Sequence, residues 1–118
     1  MSKILIVDDS MISRINLKKI LLAEGHEVIG EASNGLEAVK KFEDLKPDIV
    51  TMDITMPEMD GLEALRNIMR SNPAAKVIMI SALGQNNKIL EALQSGAKNY
   101  ITKPYEPSQV INIIKELC

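Results

Sequence analysis

Several short apolar runs of the sequence end in a residue that can take part in acid, metal or phosphoryl chemistry. These residues are two adjacent acids, a third acid, a hydroxyl and an amine: Asp8 and Asp9, Asp53, Ser81 and Lys103. Each alone has an ordinary explanation as a helix cap, a turn residue or a solvated charge. The set is harder to explain in that way. Capping does not require two adjacent acids, and Asp53 closes an apolar run, which is costly unless its charge is compensated.

The charges in this set indicate a cation site beside an anion site. Three carboxylates outweigh one ammonium, and crowded carboxylates either take up protons or bind a cation. Carboxylate oxygens suit Mg²⁺, which takes few protein ligands and keeps waters for a phosphate partner. Once the metal neutralises the site, a carboxylate can act as a nucleophile and form an aspartyl-phosphate. Mg²⁺ and Lys103 would stabilise charge on the phosphoryl oxygens, and Ser81 can donate a hydrogen bond to them.

This chemistry requires a fold that brings the ends of the apolar runs together. Five β-branched runs are predicted as strands: Ile4–Val7, Val28–Ala32, Asp48–Met52, Val77–Ile80 and Tyr100–Thr102. Each interval between them has room for a helix of about three turns and two short loops. Strands that alternate with helices form a parallel sheet with helices on both faces. Ligands of such sheets bind outside the carboxyl ends of the strands, where the candidate residues are placed.

Apolar spacing and capping residues predict one helix in each interval. The expected bounds are Met11 to Glu24 for the first helix and Asn34-Gly35 to Pro47 for the second. The third helix is expected from its cap Asp60 to Ser71-Asn72-Pro73, and the fourth from a cap at Asn86 or Asn87 to Gly96. The last helix is expected to begin near Pro107, since proline suits the first turn.

The composition restricts the possible functions. The 118 residues include 14 Lys+Arg and 16 Asp+Glu, a net charge of −2, which disfavours a sequence-independent nucleic-acid binder. Two Tyr, one Phe and no Trp are too few to stack on bases or flavin rings. The single cysteine, Cys118, is typical of a cytosolic protein. No apolar run approaches the roughly 20 residues that span a bilayer, and no signal-peptide pattern is present, so a cytoplasmic protein is expected.

The sequence resembles response-regulator receiver domains over nearly the whole chain, and among them the stand-alone chemotaxis type. The matching stretches are Ile4-Leu5-Ile6-Val7-Asp8-Asp9-Ser10, Pro47-Asp48-Ile49-Val50-Thr51-Met52-Asp53, Met56-Pro57-Glu58-Met59-Asp60-Gly61, Ser81-Ala82, and Gly96-Ala97-Lys98 through Lys103-Pro104. As a set they are highly specific. The resemblance implies one receiver domain over residues 1–118, with a flavodoxin-like (βα)5 fold, a doubly wound parallel sheet and the strand order 2-1-3-4-5.

The resemblance assigns the acids to phosphorylation and metal binding. Asp53 is the expected acceptor of the phosphoryl group. Asp9 and Asp53 would ligate Mg²⁺, or Mn²⁺ in its place, and Asp8 would help through a water molecule. The backbone carbonyl of Thr55 would complete the protein ligands.

The resemblance also assigns the remaining residues of the site. Lys103 would pair with the phosphoryl oxygens, and the Lys103-Pro104 peptide bond would be cis. Ser81 would swing toward the phosphate as a switch residue, and Tyr100 would turn inward to fill the space that it leaves. Many receiver domains have Thr where this chain has Ser81, but the hydroxyl is kept.

A function in two-component signalling follows from the same resemblance. A histidine kinase would donate the phosphoryl group, and the protein would catalyse only its own phosphorylation and dephosphorylation. The last two helices and the strand between them would bind a downstream protein, with a flagellar switch protein as the first candidate. The protein is expected to be a monomer that binds neither nucleic acid nor membrane. The chain ends just after the last helix, so no output domain is expected.

Three alternatives stay open. A phosphorelay carrier would pass the phosphoryl group to another histidine protein through the first helix, and a receiver domain cut from a longer regulator would have the same site. A phosphatase with an aspartyl-phosphate intermediate is chemically related, but it would want a second acid where Thr55 stands. A nucleotide-binding protein of this architecture is disfavoured because its first turn would be glycine-rich, whereas this turn is Asp8-Asp9-Ser10-Met11.

Overall fold

Strands and helices alternate along the chain, as the spacing of the apolar runs predicts. The computed structural model describes residues 2–118. The strands are Lys3–Val7 (β1), Glu27–Ala32 (β2), Ile49–Met52 (β3), Val77–Ser81 (β4) and Asn99–Thr102 (β5). The helices are Met11–Ala23 (α1), Gly35–Leu45 (α2), Gly61–Ser71 (α3), Asn86–Gln94 (α4) and Pro107–Leu117 (α5).

The five strands form one parallel sheet in the order β2-β1-β3-β4-β5. The flavodoxin-like, doubly wound fold and its strand order are therefore confirmed. The central strands β1 and β3 are paired so that Val7 lies opposite Met52. Because their carboxyl ends coincide, the residues that follow them, Asp8 and Asp53, are neighbours. In this strand order the switch point lies between β1 and β3, and ligands bind there in folds of this kind.

Both faces of the sheet are buried under helices, which explains why the central strands are continuously apolar. Alternate residues of each strand point to opposite faces. One face packs against α2 and α3 through residues such as Phe42, Leu65 and Ile68. The other face packs against α1 and α5 through Leu21 and Ile114, among others. The two helix layers cover both faces of the sheet and leave its carboxyl edge open.

Most helix ends follow the predicted capping chemistry. Asp60 caps α3, since its Oδ1 accepts a hydrogen bond from the Glu63 backbone N–H at 2.9 Å. The predicted cap of α4 was wrong. Gln85 is the N-cap and makes no side-chain capping bond. Asn86 and Asn87 already lie within the helix, and the Asn87 side chain accepts from the next backbone N–H instead. This helix therefore begins without the stabilisation that a capping side chain provides.

Residues near the two ends of the described chain meet at the amino edge of the sheet, opposite the candidate residues. The Ser2 hydroxyl lies 2.8 Å from the Cys118 sulfur. Ser2 also donates its backbone N–H to His26 Nδ1 at 3.1 Å, and its carbonyl accepts from the Glu27 N–H at 2.9 Å. The contact ties the beginning of β1 to the end of α5.

Within residues 2–118, no helix combines the length and the apolar character needed to cross a membrane.

Candidate functional site

Asp8 is buried at the end of β1, although it is an acid. Its residue is only 6% exposed. Its two oxygens have different partners: Oδ1 accepts from the Ser10 backbone N–H at 2.9 Å, and Oδ2 accepts from Lys103 Nζ at 2.6 Å. Buried carboxylates persist when they are paired and hydrogen-bonded, and both conditions are met here. Asp9 follows with an exposed side chain.

Asp53 occupies the matching position at the end of β3. Its backbone N–H donates to the Val7 carbonyl at 3.0 Å, which extends the β1–β3 pairing to the site itself. Its side chain is 12% exposed. Oδ1 accepts from the Ile54 backbone N–H at 2.6 Å, and Oδ2 accepts from Lys103 Nζ at 3.1 Å. The carboxylate is therefore held at a fixed position beside Asp8.

Gly61 permits the close turn that leads from Asp53 into α3. Its backbone N–H donates to the Ile54 carbonyl at 2.7 Å. A Cβ atom at this position would lie 1.8 Å from the Asp53 carbonyl oxygen, far inside van der Waals contact. Only glycine fits here without displacing the backbone of Asp53.

Lys103 joins the two acids across the sheet. It follows β5, yet its ammonium reaches Asp8 after β1 and Asp53 after β3. Burial lowers the pKa of this ammonium, but the hydrogen bonds to Asp8 and Asp53 and the charges of both acids outweigh burial and raise the pKa above its ordinary value. The lysine is charged at neutral pH. The peptide bond between Lys103 and Pro104 is cis in this structure.

The three acids form a cluster of oxygen donors. Asp8, Asp9 and Asp53 each place one carboxylate oxygen within 4.8 Å of the others. An all-oxygen set of this kind fits a hard divalent cation such as Mg²⁺ or Mn²⁺. One lysine does not balance three acids, so the cluster keeps an excess of negative charge that a cation would neutralise. Thr55, the fourth predicted ligand, lies two residues after Asp53 in the loop before α3 with an exposed side chain.

The side chains of Ser81 and Tyr100 both form hydrogen bonds with the backbone of Leu83, which lies just after β4. Ser81 is 1% exposed, and its Oγ accepts from the Leu83 backbone N–H at 3.3 Å. The Tyr100 hydroxyl donates to the Leu83 carbonyl. Burial raises the pKa of Tyr100; the nearby Ser81 hydroxyl lowers it, and the Asp53 charge raises it further. The half-buried tyrosine thus faces the site, with Leu83 as its link to Ser81.

Two residues of α1 also contact the site, and neither is among the residues predicted for it. Ser13 Oγ lies 3.4 Å from Lys103 Nζ. Arg14 Nη1 donates to the Asp8 backbone carbonyl at 2.6 Å, and its Nε donates to Glu31 Oε1 at 2.9 Å. A signal was available: Ser10 is the cap of α1, and residues three and four positions later lie over the turn that precedes them. Arg14 therefore fixes the main chain of the acid pair.

The arrangement brings together the groups that phosphoryl transfer to a carboxylate requires. A carboxylate at the centre, Asp53, lies beside a fixed ammonium and a cluster of cation ligands. Such a set supplies a nucleophile together with groups that stabilise charge on phosphoryl oxygens. Ser81, two positions beyond Met79, the last β4 residue paired with β3, adds a buried hydroxyl to the same edge.

Comparison with known proteins supports the same interpretation. A sequence model of the family described as "Response regulator receiver domain" matches residues 4–115. The chain is 51% identical to the chemotaxis protein CheY of Thermotoga maritima, over 98% of this chain and 96% of that protein. It is 53% identical to the chemotaxis protein CheY of Listeria monocytogenes, with 98% of both chains covered.

Solved structures show the same similarity. A chain in the crystal structure of the CheX–CheY–BeF3–Mg²⁺ complex from Borrelia burgdorferi is 43% identical and matches with a TM-score of 0.95, covering 98% of this chain and 87% of that one. The response regulator domain of Thermotoga maritima CheB is 40% identical with a TM-score of 0.85, covering 98% of this chain and 92% of that one.

Proposed function

The chain belongs to the response regulator receiver domain family and is of the chemotaxis type, and from this premise we propose that Asp53 accepts a phosphoryl group from a histidine kinase. The protein is a signalling switch of two-component systems. In our proposal residues 1–118 act as one receiver domain, and phosphorylation at the carboxyl edge of the sheet changes its affinity for a partner in chemotaxis.

The observation that carries the proposal is the position of Lys103 between Asp8 and Asp53. A single ammonium holds two carboxylates at 2.6 and 3.1 Å and leaves the cluster short of positive charge. A purely structural ion pair would need one acid, not three. The surplus is explained if the site exists to bind a cation and then an anionic phosphoryl group.

The cation site would be formed by Asp9 and Asp53, with Asp8 acting through water and the Thr55 backbone carbonyl as a further ligand. When bound, Mg²⁺ supplies positive charge that offsets the carboxylates and stabilises the phosphoryl oxygens. The chain's own contribution is the fixed position of these donors. Asp8 is held by Ser10 and Lys103, and its backbone is held by Arg14.

The phosphoryl transfer uses the carboxylate as nucleophile. A carboxylate oxygen of Asp53 forms a new bond to phosphorus while the phosphorus–nitrogen bond of the donor phosphohistidine breaks, and the bonding electron pair leaves with the imidazole nitrogen. Lys103 then donates to a phosphoryl oxygen in place of the Asp53 oxygen that it binds in this structure. No proton transfer from Asp53 is needed, because the ionised carboxylate is the reacting form.

The switch would pass through Leu83. A Ser81 hydroxyl that turns to donate to a phosphoryl oxygen gives up the bond that it accepts from the Leu83 N–H. The Leu83 carbonyl accepts a hydrogen bond from the Tyr100 hydroxyl, so movement of this segment would also move the tyrosine ring. Tyr100 belongs to β5, which connects the site to the surface of α4 and α5.

The output surface in this proposal is formed by α4, β5 and α5. Leu90 and Leu93 of α4 are 56% and 44% exposed, which leaves apolar side chains available for a protein partner. A flagellar switch protein is the first candidate partner. A protein similar to CheX is a second candidate, since a CheX is bound to a CheY in the Borrelia complex.

Phosphorylation of Asp53 can be tested by intact mass spectrometry. Incubation with acetyl phosphate and Mg²⁺ should add the mass of one phosphoryl group to the protein, and chelation of the metal should prevent the addition. Asp53→Asn should abolish it. Asp48→Asn, a change of an exposed acid at the amino edge of the sheet, is the matched control and should leave labelling intact. Labelling of Asp53→Asn to the same extent as the unaltered protein would refute the assignment.

A further inference from the structure

The main chain of Asp8 is held from two sides by hydrogen bonds of different kinds. Its backbone N–H donates to the Ala32 carbonyl at 3.0 Å, which continues the β1–β2 pairing and needs no particular side chain. Its carbonyl accepts from Arg14 Nη1 at 2.6 Å, and this bond depends on the arginine. The Asp8 carbonyl and the Asp9 N–H belong to one planar peptide unit. Arg14 therefore fixes the peptide plane from which Asp9 extends.

Arg14 is itself oriented by Glu31 of the edge strand β2. Its Nε donates to Glu31 Oε1 at 2.9 Å, while Nη1 of the same guanidinium reaches the Asp8 carbonyl. A guanidinium is planar and its N–H groups point in fixed directions, so a partner that holds Nε also sets the direction of Nη1. The Arg14 side chain is only 17% exposed and is therefore enclosed by its neighbours. Glu31, Arg14 and Asp8 thus form a line of contacts from β2 to the acid cluster.

Charge pairing alone does not explain this arrangement. Lys18, one turn further along α1, lies with its Nζ 3.5 Å from Glu31 Oε2 and already supplies a positive charge to that carboxylate. Ion pairs that remain in contact with solvent contribute little to stability. The contact that requires arginine is the second one, to the Asp8 carbonyl, because a lysine cannot donate in two fixed directions.

The position of the Asp9 carboxylate depends on its main chain. The Asp8 and Asp53 carboxylates are held by hydrogen bonds, whereas the exposed Asp9 carboxylate accepts none from the residues that the structure describes, 2–118. Mg²⁺ requires a nearly regular octahedron of oxygens, so a displaced donor binds it poorly. Residues that orient metal ligands without touching the metal typically change its affinity by roughly 10–100-fold.

We propose that Arg14, oriented by Glu31, is a positioning residue that sets the affinity of the acid cluster for a divalent cation. The inference rests on the proposed function, in which Asp9 and Asp53 bind that cation. Arg14 contacts neither carboxylate. It acts through the peptide plane between Asp8 and Asp9.

Arg14→Gln distinguishes this role from an effect of charge. If charge alone mattered, removal of a positive charge beside three acids would strengthen cation binding. Positioning predicts the opposite, and we expect the Kd for Mg²⁺ to rise about tenfold. Arg14→Lys keeps the charge but loses the pair of contacts, so its Kd should rise as well. Titration of Mg²⁺ into ¹⁵N-labelled protein, followed through the amide resonances of the loops after β1 and β3, measures each Kd.

Two further variants test the surroundings of Arg14. Glu31→Asp keeps the charge but shortens the side chain that holds Nε, and it should raise the Kd by a smaller factor than Arg14→Gln. Lys18→Gln is the matched control, because it removes an equal charge from the same helix and a second contact of Glu31 while leaving the bond to Asp8. Its Kd should be unchanged or slightly lower. Circular dichroism and urea unfolding identify the variants that are folded.

A Kd for Arg14→Gln and Arg14→Lys at or below that of the unaltered protein would overturn the inference and leave the cation site standing. An equal loss of affinity in Lys18→Gln would also overturn it, because the line of contacts to Asp8 would then not be the cause. If the unaltered protein gave no saturable shifts with Mg²⁺, the cation site of the proposed function would be wrong, and this inference with it.

Discussion

At the scale of single residues, the three acids of the cluster differ in their ion pairs and in their exposure. Lys103 forms ion pairs with both Asp8 and Asp53, whereas Asp9 is exposed at the same edge. Asp9 therefore adds repulsion to the metal-free protein without a matching ion pair. In the proposed function Asp9 serves cation binding, so stability and function would oppose each other at this position.

Asp9→Asn should accordingly stabilise the metal-free protein. We expect a gain of about 0.5–1 kcal/mol in the free energy of unfolding, the scale of one charge interaction near a protein surface. Addition of Mg²⁺ should raise the stability of the unaltered protein, because a ligand bound only by the folded state stabilises it, and should raise that of the variant much less. Urea unfolding with chelator and with Mg²⁺ measures both effects.

Asp44→Asn is the control for this comparison. Asp44 is an exposed acid near the end of α2, on the side of the sheet away from the cluster. The variant should respond to Mg²⁺ as the unaltered protein does. Equal Mg²⁺ responses in all three proteins would show that Asp9 takes no part in cation binding.

The two tyrosines should titrate at unusually high pH. Burial raises the pKa of Tyr100 and of Tyr105 above the ordinary value of 10.0. Because the neutral phenol is favoured in the folded state, its contribution to stability is complete below about pH 10 and is lost as the pH rises through the higher folded-state pKa. Absorbance of tyrosinate should therefore appear only above pH 10, with unfolding stability falling in the same interval.

Single variants assign the tyrosine titration. Tyr100→Phe and Tyr105→Phe each leave one tyrosine, whose midpoint can be read directly by absorbance. Each midpoint should lie above that of the unfolded protein in urea. A remaining tyrosine that titrates with the unfolded midpoint would contradict its half-buried position.

At the scale of the elements, the loop from β3 to α3 determines where Asp53 lies. Gly61→Ala would place a methyl group 1.8 Å from the Asp53 carbonyl oxygen. The backbone must move, and we expect a loss of about 1–3 kcal/mol in unfolding free energy, as for other overpacked sites, together with slower labelling by acetyl phosphate. Urea unfolding and the time course of the mass shift measure the two effects.

Gly84→Ala is the matched control for the glycine substitution. A Cβ at Gly84 would meet the Thr102 methyl group at 3.2 Å, and that side chain is exposed and can give way. The cost should be much smaller than at Gly61. If both variants were equally stable, the close approach of Gly61 to Asp53 would have no energetic role.

The elements themselves were predictable because the apolar periodicity and the strand spacing are strong signals. The positions of Asp8, Asp53 and Lys103 followed from one rule, that parallel strands end at a common edge. The link through Leu83 was not predictable, since it uses backbone N–H and C=O groups that every residue has. The α4 cap was missed because two adjacent asparagines resemble caps, although both lie inside the helix.

The buried hydroxyl of Thr51, which has no hydrogen-bond partner among the described residues, shows a second limit of sequence reasoning. A threonine within an apolar strand is an ordinary β residue, and nothing in its neighbours along the chain marks its hydroxyl as unpaired. The missing partner depends on strand register and on how α1 and α5 pack over the sheet. Such information exists only once the elements are assembled.

At the scale of the whole molecule, the charged groups at the carboxyl edge of the sheet come from adjacent strands and from one strand farther away. Lys103 follows the edge strand β5 but binds acids that follow β1 and β3, so it reaches past β4. The contacts of Lys103 can therefore form only when β1, β3, β4 and β5 are assembled in the sheet. A change that loosens one strand should disturb the acids even when it lies far from them along the chain.

The contact between Ser2 and Cys118 allows the connectivity of the chain to be changed without changing the fold. The two side chains lie 2.8 Å apart at the edge opposite Asp53, so a short linker can join these residues. New ends can then be opened between Pro73 and Ala74, two exposed residues in the turn between α3 and β4. This circular permutant should keep the five-stranded sheet and should still be labelled at Asp53 by acetyl phosphate. A permutant that folds, as judged by circular dichroism, yet is not labelled would show that the amino edge of the sheet influences the site. Retained labelling would mean that a reporter domain could be inserted there without disturbing phosphorylation.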